Sequence, residues 1–123
     1  MGSLNHETEQ ITRRFVRFQT GSYLPYMYMG LAYSLLEQYE ESVKAFNKSV
    51  SEFPNHTTVL RGLASSLAKI CRIDEARVVL AKYVKLSRGK RDTIEKLRAY
   101  LKFSESKFER IFGGLRQAGM PEK

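Results

Sequence analysis

The sequence predicts an all-α fold of about six short helices, and three observations support this prediction. Apolar residues recur at spacings of three and four, the period of one face of an α-helix, along most of the chain. The pattern repeats when the chain is shifted by 34 residues, as expected for stacked helix pairs. No two segments have the pattern of paired strands. The sequence therefore favours a helical solenoid with a C-terminal helical cap.

The first segment, residues 1–22, predicts the second helix of a truncated pair. Ile11, Phe15 and Phe18 form an apolar stripe, and a Gly-Ser turn follows at residues 21–22. The opening MGSLNHE has the character of an appended or frayed terminus, so it carries no weight in the fold. A stack that begins with half a pair suggests a piece cut from a longer array.

The best-defined helix pair spans residues 23–56. Gly30 lies inside an apolar helical run, where glycine costs roughly 1 kcal/mol relative to alanine. Such a glycine indicates that another group needs the space of the missing side chain. We expect this group to be Phe46 of the second helix, which Pro54 then ends.

The second pair spans residues 57–90 and follows from the 34-residue shift. Gly30 maps to Ala64 and Phe46 to Leu80, and the other mapped positions are also apolar or small. Residues 73–76 (IDEA) supply an acidic start to the second helix, where carboxylates favour the helix dipole. Arg88 replaces the closing proline, so this helix should extend to Ser87 before a glycine ends it.

Residues 91–123 predict capping helices. Residues 91–103 begin like a third pair, with Asp92 or Thr93 as N-cap. Arg98 stands at the position of the packing glycine and is too large for a second helix to approach closely.

A final helix should begin at the capping box Ser106–Glu109. Gly113-Gly114 should weaken it, and the tail PEK should be frayed.

The residue types in 23–56 resemble the tetratricopeptide (TPR) repeat family. The residues that carry this resemblance are Tyr26, Met29, Gly30, Tyr33, Ser42, Phe46, Ser49 and Pro54. Tyr26 stands where the family has Trp, and two serines replace the usual alanines. The resemblance covers about residues 8–90. It implies a solenoid that binds a protein or peptide in the concave groove lined by its first helices.

The groove-facing positions of the family match one set of residues in each pair. They are Leu24, Met27, Leu31 and Ser34 in the first pair, and Thr58, Arg61, Ser65, Ala68 and Lys69 in the second. Chaperone-binding members hold a carboxylate with Lys and Asn here, but Met27 and Leu31 replace them, so no such clamp is expected. An apolar patch beside Arg61 and Lys69 suits a peptide with apolar anchors and an acidic end. Alternatively, neighbouring helices cover Met27 and Leu31.

The tail GLRQAGMPE resembles the C-terminal end of the TPR segment in bacterial class III adenylate/guanylate cyclases, where a motif of the type GLRKAGLPE is common. The matching residues are Gly114, Leu115, Arg116, Ala118, Gly119, Pro121 and Glu122. Similar tails also occur in bacterial winged-helix regulators. The resemblance implies a regulatory segment of a signalling enzyme whose catalytic domain lies outside this sequence.

Charge is concentrated in the second half of the chain. Residues 1–60 carry five Lys or Arg against six Asp or Glu, whereas residues 61–123 carry sixteen against seven. The basic patch of 82–102 consists of Lys82, Lys85, Arg88, Lys90, Arg91, Lys96, Arg98 and Lys102. It favours an anionic surface. It does not favour nucleic acid, because Tyr83 and Tyr100 are expected to face the core rather than to stack on bases.

No catalytic constellation, metal site or cofactor motif is visible. His6 and His56 are isolated, and metal or general-base chemistry needs converging groups. The single Cys71 cannot form an internal disulfide, which fits a reducing, cytoplasmic location. No apolar run approaches the roughly 20 residues that span a bilayer. The expected function is therefore non-catalytic binding of a protein partner, such as another domain of the parent protein. The alternatives are self-association and binding of an anionic surface or nucleic acid through residues 82–102.

Overall fold

The computed structural model describes residues 23–123, so the helix predicted within 1–22 lies outside the described residues. The described chain is all-helical and contains no strand. Its helices are α1 (Tyr23–Leu35), α2 (Tyr39–Glu52), α3 (Thr57–Lys69), α4 (Ile73–Ser87), α5 (Ile94–Leu101), α6 (Glu105–Phe112) and α7 (Gly114–Ala118). The all-α prediction is confirmed.

Two helix hairpins, α1–α2 and α3–α4, turn in the same way 34 residues apart. Glu37 and Cys71 both adopt the left-handed backbone conformation, with φ of 58° and 64°. The amide of the following residue bonds the carbonyl five positions back, Gln38 to Tyr33 at 2.9 Å and Arg72 to Leu67 at 3.0 Å. This bonding closes the end of the first helix of each hairpin and satisfies its last carbonyls. The turns of the two hairpins therefore have equivalent backbone structure.

The two hairpins pack through the ring of Phe46. A Cβ placed on Gly30 of α1 or on Gly62 of α3 would lie 2.6 Å from the nearest ring carbon. Phe46 itself is fully buried. The predicted contact between Gly30 and Phe46 is confirmed. Gly62 carries the same sequence signal, a glycine inside an apolar helical run, and it accepts the same ring from the other side.

The main core contains the positions that the 34-residue shift identifies in the second hairpin. Leu60, Leu63, Ala64, Leu67, Ala76, Leu80 and Tyr83 are all buried. As predicted, α4 runs to Ser87, and Arg88 then takes the left-handed conformation with a φ of 52°.

The last two helices pack against both hairpins. Helix α6 contacts α1 and α3, and α7 contacts α3 and α4. Gly114 makes the closest approach: its amide donates to Ser65 Oγ at 3.0 Å, and a Cβ there would lie 2.0 Å from the Ser65 carbonyl oxygen. Only a glycine fits this approach. The single final helix predicted for this region is divided at Gly113 into α6 and α7.

Thr93 caps α5, as predicted: its Oγ1 accepts the amide of Lys96 at 3.2 Å. The capping box predicted at Ser106 is wrong. The N-cap of α6 is Ser104, whose Oγ accepts the amide of Lys107 at 3.3 Å.

The frayed tail is also a wrong prediction. The carbonyls of Pro121 and Glu122 accept the amides of Ile94 and Glu95, at 2.9 and 3.0 Å. The tail thereby satisfies two donors at the start of α5 that no earlier turn can satisfy.

Candidate binding surfaces

The groove predicted from the repeat pattern is largely buried. Ser34 and Ser65 are fully buried, and Arg61 is 4% exposed. Met27 is 8% exposed and belongs to the main core. These positions therefore offer no open contact surface for a peptide.

The remaining groove positions are only partly accessible. Leu31, Thr58 and Lys69 are half-buried, and Ala68 is buried. The side chain of Leu24 lies outside the described part of the chain. The alternative expectation, in which Met27 and Leu31 are covered by other helices, agrees with their burial.

The physical reason for the closed groove is that α6 and α7 occupy it. Gly114 bonds Ser65 on α3, and the ring of Phe112 lies 5.3 Å from the Arg61 guanidinium carbon. In the same last turn of α6, the Arg110 carbonyl accepts a hydrogen bond from Tyr39 Oη of α2 at 3.0 Å. The open peptide groove is thus corrected to an intramolecular interface.

Three buried serines connect the first helices of the two hairpins. Ser42 Oγ lies 2.8 Å from Ser34 Oγ and 3.0 Å from Ser66 Oγ, and it donates to the Gly30 carbonyl at 2.8 Å. Each hydroxyl therefore has a partner, which removes the cost of burying it. Ser42 replaces a residue that is usually alanine in the TPR pattern, and its role here is to form this network.

Arg61 is a buried cation without a carboxylate partner among the described residues. Its guanidinium carbon lies 5.9 Å from the Tyr83 ring centroid and 5.3 Å from that of Phe112. Its Nε is buried and has no hydrogen-bond partner. Burial lowers the pKa of Arg61, and neighbouring Arg91 lowers it further, while the Tyr83 hydroxyl acts in the opposite direction. A buried cation of this kind is costly unless an anion joins it.

The basic patch is divided between free and engaged side chains. The exposed members that form no ion pair with a described residue are Lys82, Lys85, Arg88, Lys90 and Lys102. Lys96 pairs with Asp92 at 3.1 Å, and Arg98 pairs with Glu105 at 2.5 Å.

Arg91 stacks on Tyr100, with its guanidinium carbon 3.5 Å from the ring centroid. The expectation that Tyr83 and Tyr100 both face the core is confirmed for Tyr83 and wrong for Tyr100. Tyr83 is fully buried and its Oη donates to the Arg91 carbonyl at 2.7 Å. Tyr100 is 55% exposed because its ring serves as a platform for Arg91 rather than as part of the core.

Glu109 forms ion pairs with two arginines of the C-terminal helices. It accepts Arg116 Nη1 at 2.6 Å and Arg98 Nη2 at 3.1 Å, and Arg116 also reaches Glu122 at 2.8 Å. Burial opposes the ionisation of Glu109, but its hydrogen bonds and the charges of both arginines outweigh this effect, so its pKa is lowered.

Within residues 23–123, no three His, Cys, Asp or Glu side chains converge where they could hold a metal ion. In the same range, no helix has both the length and the apolar character needed to cross a membrane. Cys71 is exposed at the turn of the second hairpin. No protein-family model, curated protein or solved structure matches the chain.

Proposed function

We propose that this chain is a non-catalytic, TPR-type interaction module that binds another protein. The observation that carries the proposal is the repeated hairpin. The turns at Glu37 and Cys71 have the same hydrogen bonds 34 residues apart, and Phe46 packs between Gly30 and Gly62. Hairpins stacked in this way form rigid helix faces that suit binding better than chemistry.

The proposed context is the cytoplasmic C-terminal regulatory segment of a bacterial signalling protein, such as an adenylate or guanylate cyclase. The tail GLRQAGMPE supports this context through its packing. Leu115, Ala118 and Met120 are buried, and Gly119 has a φ of 111° that favours glycine. The residues shared with the cyclase tails therefore have structural reasons to be there.

The partner must meet an outer surface, because α6 and α7 already cover the inner faces of α1 and α3. Val78 on α4 is the most exposed large apolar side chain described, at 73%. A single exposed apolar residue is common, so it serves here as a probe of the outer face rather than as a site.

The test is a titration of the intact chain with the other domains encoded by the parent reading frame, followed by calorimetry. We expect a saturable complex that Val78→Glu weakens. Asn47→Glu, which adds the same charge to an exposed position on α2, should leave binding unchanged if α4 is the contact. Failure of every parent domain to bind would refute the proposed context.

Self-association is the second candidate, favoured by several exposed large hydrophobic side chains among the described residues: Tyr28, Phe53, Val78, Leu86 and Tyr100. Sedimentation velocity over a wide concentration range separates the two candidates. A strict monomer at high concentration excludes self-association, whereas a dimer that Val78→Glu dissociates supports it.

A further inference from the structure

A small basic pocket lies where the second hairpin meets the loop that leads to α5. It has a volume of about 180 Å³ and lies between the start of α3, the end of α4 and residues 88–91. Its cationic lining residues are Arg61, Arg88, Lys90 and Arg91. No carboxylate of residues 23–123 lines it. Four positive charges around so small a volume repel one another, and an anion would relieve this repulsion.

Asp92, the acidic residue that follows the pocket residues along the chain, already forms an ion pair. Asp92 bonds Lys96 Nζ at 3.1 Å, and the same ammonium donates to the Gly89 carbonyl at 2.9 Å. The pocket cations are therefore not neutralised by the residues that surround them.

Two hydrogen-bond donors of the arginines that line the pocket have no acceptor among the described residues. The Nε atoms of Arg61 and Arg91 are both buried and unpartnered among the described residues. Arg61 is 4% exposed and is supported by the Tyr83 and Phe112 rings. Both guanidinium groups are thus held in place before any ligand arrives, which lowers the entropic cost of binding.

The start of α3 also contributes to the lining. Thr57, the first residue of the 13-residue helix α3, lines the pocket. Thr57 therefore brings the start of α3 to the pocket, and helix N-termini favour negative charge. Arginine forks and helix amides are together the groups that recognise phosphate oxygens.

We propose that this pocket binds the phosphate group of a small phosphate monoester. The volume is below the 300–1,000 Å³ typical of pockets for whole drug-sized ligands, so it accommodates the charged group with only a few more atoms. Phosphate is favoured over carboxylate because a dianion with three terminal oxygens can engage several of the four cations at once. The inference is independent of the interaction function proposed above.

The test measures thermal melting and calorimetric binding of the intact chain with glycerol phosphate, inorganic phosphate, and sodium chloride at matched ionic strength. Glycerol phosphate should raise the melting temperature in a saturable way, since a ligand that binds the folded state stabilises it. Arg88→Asn, which tolerates the left-handed backbone at this position, and Lys90→Gln should each weaken binding about tenfold. The matched controls Lys82→Gln and Lys102→Gln lie outside the pocket and should leave the affinity unchanged.

Arg61→Met gives a second test, because it should preserve or raise the melting temperature while removing the response to the ligand. Removing an unpaired buried cation should leave the melting temperature in phosphate-free buffer equal or higher, while abolishing the response to glycerol phosphate. If this variant does not fold, the Arg88 and Lys90 variants still decide the question.

Three results would overturn the proposal. Chloride could stabilise the chain as much as glycerol phosphate does, or the control variants could lose as much affinity as the pocket variants. Tighter binding of inorganic phosphate than of glycerol phosphate would exclude the ester.

Discussion

One aromatic ring sets the spacing of three helices. Phe46 projects from α2 against Gly30 of α1 and Gly62 of α3, at distances that no Cβ would permit. The absence of two side chains lets the helix backbones approach, and the ring fills the space between them at the density of a protein interior. The position of the second hairpin relative to the first therefore depends on this residue.

Phe46→Ala should lower the free energy of unfolding by about 3–5 kcal/mol, because it leaves a cavity that two glycine-bearing helices cannot fill. Chemical denaturation monitored by circular dichroism measures this change. Val78→Ala, which truncates a side chain that is 73% exposed, is the control and should have little effect. Equal stability of the Phe46 variant and the parent would contradict the packing described here.

At the scale of single residues, sequence reasoning succeeds where a pattern has one physical cause. An interior glycine and an aromatic residue 16 positions later predict the contact of Gly30 with Phe46. Tyr100 shows the limit. Its spacing suggests a core position, but the ring stacks on Arg91 and remains 55% exposed. An aromatic ring can stack with a cation at the surface or pack in the hydrophobic core. Helical periodicity does not distinguish these two environments.

At the scale of elements, ion pairs join the last two helices and the tail to α5. Glu109 on α6 bonds Arg98 on α5 and Arg116 on α7, and Arg116 also bonds Glu122 in the tail. Helix α7 has five residues, too few to be stable by itself. These bonds and its buried side chains therefore hold it in place.

Glu109→Gln should cost about 1 kcal/mol at neutral pH, a value limited by solvent exposure of the pairs. The folded-state pKa of Glu109 lies below its ordinary value near 4.5, so its contribution is present above about pH 4.5 and is lost as pH falls through the folded-state pKa. Urea titrations at a series of pH values should show the two proteins converging in acid. A stability difference that stays constant from pH 7 to pH 3 would show that charge is not the cause.

The turns show why element boundaries were harder to predict than the helices themselves. Glu37 and Cys71 occupy a left-handed position that usually favours glycine or asparagine, so their sequence gives no turn signal. Similarly, Ser104 and Ser106 are equally good caps by residue type. Only the packing of α6 decides that Ser104 is the cap.

At the scale of the whole molecule, the C-terminal helices close the surface that a repeat of this type would present. The face of α3 is composed of small and apolar residues whether its cover is a partner peptide or a helix of the same chain. Sequence pattern therefore predicts the face but not its occupant. The occupant depends on one contact between Ser65 and Gly114, 49 residues apart, which no local spacing encodes.

Gly114→Ala should displace α7 from α3. The added methyl group would meet the Ser65 carbonyl at 2.0 Å, a backbone group that cannot move aside as a side chain would. We expect a loss of about 1–3 kcal/mol in unfolding free energy. The chain should also self-associate, because the apolar face beneath α7 becomes exposed. Differential scanning calorimetry and sedimentation velocity measure the two effects.

Ser65→Ala separates displacement of α7 from the loss of its hydrogen bond. This variant removes the hydroxyl that accepts the Gly114 amide but leaves room for α7, so it should cost about 1 kcal/mol and remain monomeric. If Gly114→Ala behaves like Ser65→Ala in both measurements, α7 is not what covers the face of α3. If only Gly114→Ala self-associates, the seventh helix acts as the built-in cover of a surface that would otherwise bind other molecules.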